Sequence, residues 1–193
     1  MRKALFIVLI GTVMLSFAAG QAQLDPTLQA QLRKVFPSAS SFSLKQTGPP
    51  PHFVAYTGGA NSKTIAGYVF WTTEVEPLER GYDGPVKMLV GLDTNAKLTG
   101  VLVTEHHEPY GYFSVEPPEF ARQFLGKDIR DPFKVGADVM AVSRASITIN
   151  SSSRAIRNGS RRIARAFQGM TAEQRQGIRQ FLDGMRNREA GDA

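Results

Sequence analysis

Two apolar runs separated by a short turn constrain the fold of this chain more than any other feature. Residues 86–92 and Leu98–Glu105 flank residues 93–97, which read Asp-Thr-Asn-Ala-Lys. Turn-forming residues between two apolar, β-prone runs are typical of an antiparallel hairpin. We therefore predict that the middle of the chain forms an antiparallel sheet.

Further strands are predicted on both sides of this hairpin. Residues 52–57 and 67–72 are rich in aromatic and branched side chains, which favour strands. Residues 139–149 show alternation, with Ala145, Ile147 and Ile149 on one face. This alternation predicts another strand, with Ser146 and Thr148 on its opposite face.

Helices are predicted at both ends of the chain. Asp25 and Pro26 supply an N-cap and a first helical residue, and Pro37 ends that helix. Residues 117–125 are predicted to form a helix whose buried side consists of Phe120, Phe124 and Leu125. Two further helices are predicted, one at residues 152–167 and one that begins at Thr171. Strands in the middle and helices at the ends predict an α+β fold, a mostly antiparallel sheet covered by helices.

The first 22 residues have the layout of a secretory signal peptide. Arg2 and Lys3 precede an uncharged, mostly apolar run, and small residues follow it. An uncleaved membrane anchor is the alternative, although the run is short for a span, which needs about 20 apolar residues. Either outcome places the remainder outside the cytoplasm, in the periplasm or on the outer face of the membrane.

Charge and cysteine content exclude several classes of function. The chain has 193 residues, a net charge of +6 and no cysteine. Disulfides, thiolate metal sites, cysteine nucleophiles and cysteine-ligated iron–sulfur clusters are therefore excluded. An arginine stripe on the predicted helix 152–167 indicates either a solvated face or a docking surface for an acidic redox partner or anionic lipid. Export argues against nucleic acid as the ligand.

Three segments, in order, resemble the FMN-binding domain family, which includes flavin-carrying subunits of the Na⁺-translocating NADH:quinone reductase and Rnf complexes. The segments are GYDGPVKMLVGLD at 81–93, GVLVTEHHEP at 100–109 and SRASIT at 143–148. The similarity is greatest to the exported N-terminal domain of NosR-type regulators. We divide the chain accordingly into residues 1–22 (signal or anchor), 23–51 (helix and Pro-rich connector), 52–168 (a single FMN-binding domain) and 169–193 (helix and tail).

The resemblance implies an exported electron-transfer flavoprotein domain rather than a stand-alone enzyme. It implies FMN joined as a phosphoester to the hydroxyl of Ser146, an FAD:protein FMN transferase that installs it, and a membrane redox protein as electron donor or acceptor. The implied lining of the cofactor site comprises Ser143, Arg144, Ala145, Ile147, Thr148, Glu108, Pro109 and Tyr110. Tyr110 or Tyr112 is a candidate to stack on the flavin ring.

This copy departs from the family pattern, which leaves alternatives open. Ser146 stands where relatives carry Thr, Arg144 stands where they carry Gly, and Met140 replaces an acidic residue, with Asp138 two positions away. Arg144 either neutralises the phosphate or obstructs the transferase. A domain that keeps the fold without flavin, serving as a non-redox interaction module, is the alternative function.

Other interpretations of the polar residues are weaker. The Ser/Thr cluster at 143–153 also fits an exposed strand face followed by an N-cap at Ser151 or Ser152. His106 and His107 are adjacent, so on a strand they point to opposite faces and chelate a metal poorly. No Gly-x-Ser-x-Gly motif supports a serine hydrolase.

Overall fold

The computed structural model describes residues 23–59 and 62–167. The predicted signal peptide or anchor at 1–22 and the predicted helix from Thr171 lie outside the described residues. Among the residues described, no helix is long and apolar enough to cross a membrane.

A five-stranded antiparallel sheet forms the centre of the structure. Its strands follow one another in space in the order of the sequence, and the predicted hairpin is its β4–β5 pair. The strands are β1 (Ser41–Phe42), β2 (Phe53–Thr57), β3 (Thr64–Trp71), β4 (Lys87–Asp93) and β5 (Leu98–Glu105). The helices are α1 (Pro26–Val35), α2 (Thr72–Val75), α3 (Gly111–Ser114), α4 (Pro118–Arg122) and α5 (Ser146–Phe167). The predicted α+β class is confirmed.

Strand alternation gives the sheet two buried faces. In β4, Met88 and Val90 join the larger cluster that contains Ile149 and Ile156 of α5, whereas Leu89 joins the cluster that contains Leu32 of α1. Successive side chains on a strand point to opposite faces. Helix α5 therefore covers one face of the sheet, and α1 covers the other.

Helix α1 begins and ends as its sequence predicts. The Asp25 side chain accepts a hydrogen bond from the Leu28 N–H at 3.0 Å, which caps the N-terminus, and Pro26 is the first helical residue. The helix ends at Val35, whose carbonyl accepts a 2.6 Å hydrogen bond from the Thr99 hydroxyl of β5. This bond anchors the last turn of α1 to the sheet.

The predicted strand at 139–149 is wrong. Helix α5 begins at Ser146, and the residues before it form an irregular turn. Ala145 and Ile149 are buried, but Ile147 between them is 57% exposed, so burial follows the four-residue spacing of a helix. Ser151 and Ser152 are buried inside this helix, so an exposed strand face with an N-cap there is also wrong.

Helix α4 is shorter than the predicted segment. Phe120 and Phe124 are buried as expected, but Leu125, which lies beyond the end of the helix at Arg122, is 64% exposed. Tyr68 lies in the core, and Trp71 packs partly buried against the α1 cluster.

Paired glycines let α1 approach the sheet closely. Gly91 and Gly100 face each other across β4 and β5. A Cβ on Gly100 would lie 2.8 Å from the Val35 Cα, and one on Gly91 would lie 2.5 Å from the Val35 carbonyl oxygen. Because these neighbours are backbone atoms, neither clash can be relieved by a side-chain rotation.

We expect Gly100→Ala to lower the free energy of unfolding by about 1–3 kcal/mol, the usual cost of overpacking a core. Thermal unfolding followed by circular dichroism measures this. Gly48→Ala is the matched control, because a Cβ at Gly48 would meet nothing within 4 Å. An unchanged melting temperature for Gly100→Ala would contradict the close approach.

Candidate functional site

The candidate site is a cleft of about 350 Å³ at the N-terminal end of α5. Three separate segments meet there: the loop before β4, the loop after β5, and the turn that leads into α5. The lining residues are Tyr82, Pro109, Tyr110, Arg144, Ala145, Ser146, Ile147 and Thr148. Seven of the nine residues predicted from the sequence therefore lie around one cleft.

Two predicted residues do not line the cleft. Ser143 lies in the turn before α5 and is exposed, whereas Glu108 is buried behind the cleft wall. Tyr82 was not predicted, and its only sequence signal is its place in the first family-like segment, directly after Gly81. Tyr112 is 67% exposed and packs edge-on against Phe113, outside the cleft lining.

Ser146 presents an exposed hydroxyl at the first residue of α5. Its Oγ makes no hydrogen bond within the described part of the chain. The N–H groups in the first turn of a helix have no intrahelical carbonyl partner, and the helix dipole adds partial positive charge there. Ser146 therefore combines a free alcohol with surroundings that favour an anion.

Arg144 brings a full positive charge to the cleft through a left-handed backbone. Its φ is +66°, a conformation that costs a residue with a Cβ about 1–2 kcal/mol. Glycine adopts this region without that cost, which gives a physical reason for the glycine in the family pattern. The turn is closed by a 3.2 Å hydrogen bond from the Ala145 N–H to the Val142 carbonyl.

A buried carboxylate holds the cleft together. Glu108 is 6% exposed and accepts hydrogen bonds from the backbone N–H groups of Tyr82 at 3.0 Å and Asp83 at 2.9 Å. It also accepts a hydrogen bond from the Thr148 hydroxyl of α5. Gly81 makes this approach possible, because a Cβ there would lie 2.4 Å from a Glu108 carboxylate oxygen.

His106 fixes the loop that carries Glu108. Its Nδ1 accepts a 3.2 Å hydrogen bond from the Glu108 N–H, and its Nε2 lies 3.1 Å from a Glu116 carboxylate oxygen. Its ring packs directly on Gly111, where no side chain would fit. Within residues 23–59 and 62–167, no group of three or more possible metal ligands is present.

Two tyrosines line the cleft together with the turn. Tyr82 is 71% exposed and Tyr110 is 42% exposed, and both line the cleft with Pro109 and Ile147. The Tyr110 ring packs against Phe113 with centroids 5.4 Å apart, which limits its movement. A planar aromatic ligand with an anionic group suits this combination of aromatic side chains, cation and helix terminus.

We expect Glu108→Gln to lower the free energy of unfolding by about 2–3 kcal/mol, because the neutral amide replaces charge-assisted acceptors with one acceptor and one donor. Thermal unfolding measures the loss. Hydrogen exchange at the Tyr82 and Asp83 amides should accelerate in the folded state. Glu105→Gln is the control, because the Glu105 side chain is 61% exposed and lies 3.5 Å from Lys87 in a surface pair of little energy. Equal effects of the two substitutions would contradict the role of Glu108.

Comparison with known proteins identifies the family of this region. Residues 81–161 match the family model described as FMN-binding domain. No curated protein matches the chain. The matched segment includes the whole cleft lining, both strands of the β4–β5 hairpin and most of α5, so the part of the chain that forms the cleft is similar to the FMN-binding domain family.

Proposed function

We propose that this protein is an exported electron carrier that holds FMN in the cleft at the start of α5 and serves a membrane-associated redox system. The observation that carries the proposal is the meeting of Ser146, Arg144 and two tyrosines in one cleft inside the FMN-binding segment. FMN, when bound, supplies one- and two-electron transfer. The protein supplies attachment, orientation and electrostatics.

Ser146 is the proposed attachment point. Its oxygen forms the new phosphoester bond to FMN, while the pyrophosphate bond of FAD breaks and AMP leaves. The hydroxyl proton is lost from Ser146 in the same exchange. An FAD:protein FMN transferase is the proposed catalyst, and the exposure of Ser146 favours access by such an enzyme.

Arg144 and the first turn of α5 are proposed to hold the phosphate. A guanidinium can donate two parallel hydrogen bonds to phosphate oxygens. Tyr82 and Tyr110 offer ring faces for the isoalloxazine, while Pro109 and Ile147 exclude water from its edges. Glu108 does not line the cleft, and its proposed role is to keep the Tyr82 loop against α5.

The export and membrane parts of the proposal rest on sequence. Residues 1–22 have the layout of a signal peptide or anchor. Kinship with NosR-type domains and the membrane redox protein as donor or acceptor remain predictions. An intact mass of the protein isolated from its host would report cleavage and flavin attachment together.

A flavin-free interaction module is the second candidate function. Arg144 favours it, because this long, charged residue lines the same cleft as Ser146 where the family pattern has glycine. A colourless protein without a mass increment in its native host would support this alternative.

We expect Ser146→Ala to abolish covalent flavin. In protein co-expressed with the transferase and run on a denaturing gel, the wild-type band should fluoresce under ultraviolet light, and the Ser146→Ala band should not. Ser146→Thr should keep the fluorescence, because threonine supplies the same alcohol. Ser143→Ala is the matched control and should also fluoresce. A fluorescent Ser146→Ala band would overturn the assignment of the phosphoester bond to Ser146. Release of flavin from the wild-type protein on denaturation would indicate noncovalent FMN.

We expect Arg144→Gly and Arg144→Ala to separate backbone strain from charge. Glycine should raise the free energy of unfolding by about 1 kcal/mol because it removes the left-handed strain, whereas alanine should not. Both should weaken noncovalent FMN binding about tenfold, equivalent to about 1.4 kcal/mol of lost phosphate contact.

Flavin fluorescence titration measures the affinity for noncovalent FMN, with the Ser146→Ala protein as the background for each Arg144 substitution. Chemical denaturation measures the free energy of unfolding. Arg33→Ala, which removes an exposed charge from α1, is the control for both. Unchanged FMN affinity in both Arg144 variants would show that the guanidinium does not bind the phosphate.

A further inference from the structure

A second cavity, of about 400 Å³, lies between α5 and the loop at 132–134. We call it the basic groove. Its lining residues are Pro132, Phe133, Lys134, Asn150, Arg154, Arg157 and Arg161. Four of these seven residues are cationic, and no Asp or Glu lines the groove in the part of the chain that the structure describes.

The basic groove continues the FMN cleft along one face of α5. Ile147 lines the cleft, and Asn150, Arg154, Arg157 and Arg161 follow it at spacings of three and four residues. Residues with these spacings are neighbours on a helix surface. From Asn150 to Arg161 the helix rises about 16 Å, at about 1.5 Å per residue.

The arginines are fixed by one edge and keep donors available on the other. Arg154 contacts the Glu79 carboxylate only through Nε, at 3.0 Å and 3.3 Å. Arg157 uses Nε for Asn158 at 3.1 Å and Nη1 for the Pro132 carbonyl at 3.2 Å. Both Nη groups of Arg154 and the Nη2 of Arg157 therefore have no hydrogen bond among the described residues. A guanidinium carries five N–H donors, so each retains the capacity to bind a carboxylate.

The loop that forms the other wall is held in place. Arg161 donates to the carbonyls of Ile129 at 2.7 Å and Asp131 at 3.0 Å. The Asp138 carboxylate accepts the backbone N–H groups of Phe133 and Lys134. Burial tends to raise the pKa of Asp138, but the Lys127 ammonium and these N–H groups outweigh it and hold the pKa below its ordinary value.

Lys134 adds an exposed charge to this wall. It is exposed, and its Nζ has no hydrogen-bond or ion-pair partner within residues 23–59 and 62–167. The basic groove thus joins preorganised guanidinium donors to one free ammonium. Preorganised donors lose little entropy when a ligand binds.

The length and charge of the basic groove indicate its occupant. A single phosphate would use one end of a row about 16 Å long. A peptide segment with several carboxylates would match the row of cations along its length. Electron-transfer partners form small, polar contacts that depend on charge complementarity, and the groove lies beside the proposed electron-carrying site.

We propose that the basic groove binds a carboxylate-rich segment of the protein that exchanges electrons with the FMN. The electron-exchanging nature of that partner rests on the proposed function. The binding of an acidic segment rests on the basic groove alone. The two parts can therefore be tested separately.

The test compares two double variants of the full chain. Lys134→Gln with Arg154→Gln removes two charges from the basic groove. Arg33→Gln with Lys34→Gln removes two exposed charges from α1, on the other face of the sheet. A labelled decaglutamate peptide is the binding probe, and its fluorescence anisotropy is measured at low ionic strength and at about 0.15 M salt. Circular dichroism checks that both variants fold.

We expect the groove variant to weaken peptide binding about tenfold at low ionic strength, and the α1 variant to change it less than about twofold. Equal weakening by the two variants would mean that only net charge matters, and it would overturn the proposal. So would no peptide binding by the wild type. Vesicles containing about one-third phosphatidylglycerol test the lipid alternative. If the wild type binds the vesicles but not the peptide, and the groove variant loses vesicle binding, the groove would be assigned to anionic lipid.

A second readout tests the link to electron transfer. Ferricyanide, an anionic one-electron oxidant, should reoxidise reduced FMN several-fold more slowly in the groove variant than in the wild type at low salt. The α1 variant should react at the wild-type rate. An unchanged rate in the groove variant would overturn the electron-exchange part. If the protein carries no flavin, this readout is absent and the proposed function fails, whereas the peptide arm still decides whether the groove binds acidic segments.

Discussion

The burial of one face of α5 against the sheet determines where the first turn of the helix, at the cleft, and its arginine row, in the basic groove, are placed. Ile149, Ile156 and Ile163 are fully buried in the larger core cluster. At Gly159 the helix backbone approaches β3 so closely that a Cβ would lie 2.6 Å from the Phe70 ring. Because an α-helix is nearly rigid over this length, fixing its buried face also fixes the direction of its first turn and of its arginine row.

This packing buries several serine hydroxyls of α5 that have no hydrogen-bond partner among the described residues. The hydroxyls of Ser152, Ser153 and Ser160 are buried on α5 without a hydrogen-bond partner in the described part of the chain. Each unsatisfied buried hydroxyl costs about 1–3 kcal/mol. The small volume of serine and glycine on this helix nevertheless lets it lie close to β3 and β4. The gain is close contact along much of a 22-residue helix.

Glu108 converts this rigid frame into a site. It lies three residues beyond the end of β5, and its carboxylate joins that strand end to the Tyr82 loop and to Thr148 of α5. Tyr82 lies 26 residues before Glu108 and Thr148 lies 40 residues after it, yet all three meet at this one carboxylate. The cleft wall formed by Tyr82 therefore depends on a residue that does not line the cleft.

The sequence predicted best where the signals were local. The β4–β5 hairpin and the start of α1 follow from a turn, an N-cap and a proline, each of which acts within a few residues. The segment 139–149 was mispredicted because Ala145 and Ile149 satisfy both alternation and a four-residue spacing, and a short run cannot separate the two periods. Only burial of Ile149 together with Ile156 on one helix face resolves the ambiguity. Tyr82 was missed because its contact with the cleft comes from tertiary structure.

Arg144 shows how local strain and function are related in this site. Its left-handed backbone is imposed from both sides, by the Val142–Ala145 turn and by the start of α5, which is itself held by the core. Glycine would adopt the same backbone with less strain, so the arginine costs about 1–2 kcal/mol at this position. Strain of this kind is informative when the residue also brings a specific chemical group to a cleft. The same helix also carries the arginines of the basic groove, of which the first, Arg154, lies about two turns beyond Ser146. One face of α5 therefore offers a cleft suited to a fixed anionic cofactor and, beside it, a row of cations suited to an anion that must bind and leave.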